Sequence, residues 1–178
     1  MRRITFPAPA ILCLAMYLPI FCGSAVAQEA AVELALSTSP NPQKLFPNLR
    51  RFQILAPSTP NYNCISHAIG LHDRWLWPGS RVEDFDRLFG QVGYSRQRLR
   101  PTAGVRIECI VLYGKRDETG GVEITHAARA LADGTFTSKL GRGPLIRHAT
   151  LTDLAGGFYG MPVAVYYRYH YRRNPLEA

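Results

Sequence analysis

The apolar positions along the chain change period once, from helical to strand-like, and the class of element predicted changes with them. Between residues 63 and 71, Ile65, Ala68 and Ile69 recur at helical spacing, with Asn61 or Asn63 available as N-cap. Trp75, Trp77, Pro78 and Gly79 make an aromatic turn. Val82, Phe85, Leu88 and Phe89 then line one face of a second helix, begun near Ser80 and ended by Gly90 or Gly93. From residue 105 the pattern is that of strands. VRIECIVLY (105–113) is apolar on both parities, as a central buried strand is. VEITHAARAL (122–131) follows a polar turn, and Asp133-Gly134 marks a hairpin into residues 135–140. A break at 141–144, a short strand or helix within 145–154, a glycine-rich corner (Gly156, Gly157, Gly160) and the strand VAVYYRYHY (163–171) complete the series. Helices first and an antiparallel sheet after them is the order of an α+β domain, with N-terminal helices packed on the sheet.

The ends of the chain change the picture. Arg2 and Arg3 precede a short apolar run at 11–21, and Ala25-Val26-Ala27 offers a small-x-small cleavage site, so residues 1–27 read as a secretory signal peptide. That run is too short to span a bilayer, as is every other apolar run, and an integral membrane protein is not expected. Prolines at 40, 42, 47, 57 and 60 make 28–62 an extended arm, with a short helix at 28–36. A single domain over 63–173 and a frayed tail at 174–178 follow. Loss of Arg2 and Arg3 lowers the net charge from +8 to +6. That charge suits an anionic envelope polymer or peptide, in a secreted or periplasmic location. Without a dense Lys/Arg stripe, nucleic acid is not an expected partner.

Cleavage also removes Cys13 and Cys22, leaving Cys64 and Cys109. In an oxidising compartment these two can form a disulfide. The rival reading makes Cys64 a nucleophile, because a thiol at a helix start has its thiolate favoured by the unpaired N–H groups there. Asn61, Asn63 or the Cys64 amide would then supply oxyanion donors. The general base would be His126, flanked by small alanines that let a helix approach. The group orienting it would come from the hairpin partner strand. An even loop centred on Asp133-Gly134 puts Lys139 on the face of His126, and a three-residue loop puts Ser138 there instead. His148 is the third candidate for that role, and His67 a local partner for the thiol. Cys64, His67, His126 and His148 lack the spacing of a zinc set, so neither metal nor cofactor is expected. Cysteine on the first helix and histidine on a later strand is the chain order of papain-like hydrolases, including the NlpC/P60 and CHAP groups.

NYNCISHAIG, RWLWPG, VEDFDRLFGQVGY, THAARALADGTFTSKLG and IRHATLTDLAGGFYG, in that order, resemble a family of small bacterial domains of unknown function. Its members show Y-N-C-I-x-x-A-x-G, a tryptophan-rich turn, T-H-A-A, D-G-x-W-x-S-K-L-G, I-x-H and Y-G; here Phe136 replaces the hairpin tryptophan. The resemblance spans residues 45–171 and implies kinship without an activity. Two functions therefore stand as expectations. One is a thiol hydrolase or acyltransferase acting on an amide bond of an envelope peptide or protein. The other is a non-catalytic secreted binding module with a structural Cys64, its contact surface formed by the Trp75–Trp77 turn and the tyrosine- and arginine-rich last strand.

Overall fold

The computed structural model describes residues 41–96 and 106–170. The expected signal segment, the helix at 28–36 and the chain from residue 171 onward lie outside the described residues. Seven strands, β1 (Phe52–Ala56), β2 (Ser95–Arg96), β3 (Arg106–Arg116), β4 (Val122–Ala130), β5 (Phe136–Lys139), β6 (Leu145–His148) and β7 (Met161–His170), form one sheet. Their order is β1-β6-β5-β4-β3-β7-β2, and every pairing is antiparallel. Two helices, α1 (Cys64–Ala68) and α2 (Val82–Gln91), and two 3-10 turns (Pro42–Lys44 and Leu151–Leu154) complete an α+β domain. Among the described residues no helix is long and apolar enough to cross a membrane.

The proline-rich arm is not wholly outside the sheet. Its residues Phe52–Ala56 pair with β6 as an edge strand, and its exposed Ile54 and Leu55 face outward. The second helix starts one residue later than serine capping predicts. Arg81 is the N-cap, and its backbone N–H donates to the Asp84 carboxylate, 3.2 Å away.

The sheet separates two apolar clusters. On one face α1 and α2 lay Cys64, Ile65, Ala68, Phe85 and Phe89 against Ile110, Leu112, Ile124, Ala127 and Tyr166. Full burial of Phe85 and Phe89 stabilises the fold by about 2–3 kcal/mol each. On the other face Phe46, Leu49, Leu154 and Tyr159 pack on Val111, Tyr113, Ala128 and Ile146. Tyr166 and Tyr167 of the last strand, and Trp77 of the aromatic turn, are inside or packed against this interior. These three do not form the exposed contact surface the sequence suggests; among the described aromatic residues of that set Trp75 is the exposed one, at 39%.

One close approach ties β7 to β3. Gly160 has φ +71°, and a side chain on it would meet the carbonyl oxygen of Gly114.

Candidate functional site

Asn63 begins α1, and its side chain explains why the helix starts there. Its Oδ1 accepts from the Ser66 amide at 3.1 Å and the Ser66 hydroxyl at 3.0 Å, while its Nδ2 donates to the Leu76 carbonyl at 2.8 Å. That amide group is therefore engaged in capping and in holding the aromatic turn. Asn61 is exposed, with its backbone N–H on the Thr59 hydroxyl at 3.2 Å. Cys64 is fully buried in the α1-side cluster. Cys109 lies on the opposite side, partly buried, and neither cysteine is in a disulfide. Burial pushes the Cys109 thiol up to about 11.

A β-bulge decides where His126 points. The β3–β4 ladder pairs Gly114 with Ile124 and Tyr113 with His126, so Thr125 is the extra residue. Its hydroxyl is engaged by the carbonyls of Tyr159 at 2.6 Å and Tyr113 at 3.3 Å. Strict alternation would put His126 on the face of Ile124, where Cys64 packs. After the bulge, Ala127 shares that face and His126 shares the other with Tyr113 and Ala128. The imidazole stacks flat on Tyr159, with centroids 3.9 Å apart and planes 9° apart. It is fully buried, and neither ring nitrogen has a hydrogen-bond partner. Enclosure, reinforced by His148 and His67, holds it neutral, well below the ordinary histidine range.

The hairpin resolves the two alternatives for the orienting group. Leu131 N–H donates to Thr135 O at 2.8 Å and Gly134 N–H to Leu131 O at 3.1 Å, with Gly134 at φ +82°. Ala132, Asp133 and Gly134 thus make a three-residue loop with glycine in the left-handed position. The Asp133 carboxylate stabilises it by accepting from the Thr135 amide and hydroxyl. With Ala130 opposite Phe136, Ser138 falls on the face of His126 and Lys139 on the other. Ser138 bonds not to His126 but to His148 Nε2, 3.0 Å away. His148 Nδ1–H donates to the Thr150 carbonyl at 2.9 Å, so Nε2 accepts and the serine hydroxyl donates. Burial lowers the His148 pKa, with the Thr150 carbonyl and Asp153 opposing it. Lys139, fully buried, donates to the carbonyls of Thr59 at 2.9 Å, Gly141 at 2.5 Å and Gly143 at 2.7 Å, over the Tyr62 ring. It fastens the end of the arm to the loop after β5.

A second cluster, of which the sequence reading names only His67, opens to the surface on the α1 side. A cavity of about 240 Å³ is lined by Leu55, His67, Glu108, Arg129, Thr137 and Leu145, among others. His67 Nε2 lies 2.9 Å from the Thr137 hydroxyl and Nδ1 lies 3.3 Å from His72 Nε2. The Thr137 hydroxyl also faces the Arg129 carbonyl at 3.5 Å. Donation along that line makes His67 the Nε2–H tautomer, accepting from His72 at Nδ1. Burial, with His72, Arg129 and Lys139 adding to it, pushes His67 down to about 4. The signal for this cluster was present in the chain: Arg129 is the one charged residue between Ala127, Ala128 and Ala130 on a buried strand. Among the described residues, no group of three or more His, Cys, Asp or Glu side chains is placed to hold a metal ion.

The arrangement holds a neutral, enclosed imidazole on one face, a buried thiol on the other, and a half-buried guanidinium at the edge of an open cavity. The span that builds all three can be set beside known sequences. No curated protein and no solved structure matches the chain. A family model described as a domain of unknown function, DUF7689, matches residues 53–167. The match begins inside the edge strand and ends inside the last one, so it takes in the sheet and both helices. The chain therefore belongs to the DUF7689 family.

Proposed function

We propose that this is a non-catalytic binding domain, exported to the periplasm or beyond, which contacts an anionic polymer or peptide of the envelope. The observation that carries this reading is the Thr125 bulge, which turns His126 away from the cluster that encloses Cys64. A thiol nucleophile needs its base within hydrogen-bond reach. The motif residues instead have evident structural work: Asn63 caps, Thr125 fixes the bulge, Lys139 ties the arm, and Ser138 and His148 satisfy one another. The basic signal-like N-terminus and the positive charge of the remaining chain favour export and an anionic partner. Co-sedimentation of the purified protein with isolated cell-wall material tests this. Binding should survive Cys64→Ala and weaken with added salt. Loss of binding in Cys64→Ala with the fold intact would overturn the reading.

One observation favours the second reading, a papain-like or NlpC/P60-like thiol hydrolase or acyltransferase. A fully buried imidazole with two unpartnered nitrogens is unusual and is often kept for function. In that mechanism His126 takes the Cys64 proton as sulfur bonds to the amide carbonyl carbon. It returns the proton to the leaving amine, and water or another amine then cleaves the thioester. Ser138, Lys139 or His148 would orient the ring. The reading requires β4 or α1 to move so that the two side chains meet. Turnover of a peptidoglycan peptide, lost in Cys64→Ala, would establish it.

A further inference from the structure

Arg129 lines the cavity on the α1 side of the sheet with an incomplete set of partners. Its side chain is 31% exposed, so most of it is out of water. Among the described residues its guanidinium makes no hydrogen bond, and its ion pair is with Glu108 Oε1 at 3.6 Å. Glu108 is itself held by Arg168 at 2.5 Å and by the Tyr94 hydroxyl at 2.8 Å, both on Oε2. Among the described residues two guanidinium groups therefore share one carboxylate, and those three groups together carry a net positive charge. A guanidinium presents five N–H donors in a planar fork that matches a carboxylate. The Arg129 donors are open to the cavity, and a second carboxylate there would pair with them in charge-assisted hydrogen bonds. The cavity wall on the other side is apolar, with Leu55 and Leu145 beside the polar pair His67 and Thr137.

We propose that this cavity binds a small organic carboxylate, its oxygens paired with the Arg129 guanidinium and its apolar part against Leu55 and Leu145. The proposal deepens the binding reading above and rests on it. A volume of about 240 Å³ is below the roughly 300–1,000 Å³ of sites for drug-sized ligands, so the ligand is one residue or one short acyl group in size. Glu108 does not repel it, because Arg168 and Tyr94 already claim that carboxylate. The same chemistry is offered by a peptide C-terminus and by a free monocarboxylic acid, and the two are separable.

The test is calorimetric titration of the purified protein with N-acetyl-leucine, N-acetyl-leucinamide, N-acetyl-alanyl-leucine and butyrate. N-acetyl-leucine should bind at least about tenfold more tightly than its amide, a difference of about 1.4 kcal/mol. Arg129→Gln should abolish that preference, and Arg129→Lys should keep only part of it. Tighter binding of the dipeptide points to a peptide C-terminus as the natural ligand; equal or tighter binding of butyrate points to a free acid, and either supports the proposal. Ala132→Trp, an exposed substitution in the cavity wall, should block binding without touching the interior, and decides the matter if Arg129→Gln fails to fold. Equal binding of acid and amide, unchanged affinity in Arg129→Gln or Ala132→Trp, or no saturable binding of any carboxylate would overturn it. Cell-wall co-sedimentation that persists after such a failure would leave the broader binding reading standing.

Discussion

Mild acid should destabilise this domain well before its carboxylates titrate, because three histidines are enclosed in their neutral form. His67 is held at about 4, mainly by burial and then by His72, Arg129 and Lys139 around it. In the unfolded chain the same group titrates near 6.5. Between those values the unfolded state binds a proton that the folded state does not, so the unfolding free energy falls as pH falls. At about 1.36 kcal/mol per pH unit, the interval from about 6.5 to 5 removes about 2 kcal/mol through His67 alone. Burial lowers His126, with His148 and His67 adding to it, and burial lowers His148 against the opposing Thr150 carbonyl and Asp153, so both shift in the same direction and add to the loss. The carboxylates Glu108, Asp117 and Asp133 are all lowered, so the stability they supply is present above about pH 4 and lost only below it. The pH 7 to 5 window therefore isolates the histidines. Urea unfolding followed by tryptophan fluorescence at pH 7, 6 and 5 should show a loss of at least about 2 kcal/mol at constant m-value, against a total near 5–15 kcal/mol. The loss should shrink in His67→Gln. Stability that is flat or rises between pH 7 and 5 would refute the buried-neutral assignment.

Three substitutions probe the placement of the motif residues. Asn63→Ala removes an N-cap and the link to Leu76, and denaturant melts should show a loss of about 2–4 kcal/mol. Lys139→Met leaves three carbonyls without their shared donor and should cost about 3–5 kcal/mol by the same measurement. Gly160→Ala combines a left-handed φ with a clash on the Gly114 carbonyl, and thermal unfolding should detect a loss above about 3 kcal/mol.

Much of the secondary structure was legible because it rests on local rules. Asn63 announces α1, the 3.6-residue spacing of Val82, Phe85 and Phe89 announces α2, and the doubly apolar 105–113 run announces a central strand. The edge strand Phe52–Ala56 was hidden among prolines, since its partner β6 lies about ninety residues away and supplies the hydrogen bonds. Facing was the harder matter. Period-two alternation puts Ile124 and His126 on one side, and the single extra residue Thr125 undoes it for every position that follows. Nothing in ITHAA signals that bulge, because its cause is a pair of carbonyls from Tyr113 and Tyr159. The parity of the hairpin was likewise a matter of one residue, and the three-residue loop selects Ser138 over Lys139. Arg129, by contrast, is the one charge among the alanines at the end of β4; its lack of a hydrogen-bond partner required the tertiary structure.

The most direct test of the central claim is the alkylation rate of Cys64 in the native protein, read by peptide mass spectrometry after timed exposure to iodoacetamide at pH 7. A thiol enclosed in the apolar cluster and turned away from His126 should label at least about a hundredfold more slowly than in urea, and His126→Gln should not slow it further. Rapid labelling of the folded protein that depends on His126 would contradict the account and restore Cys64 as a nucleophile.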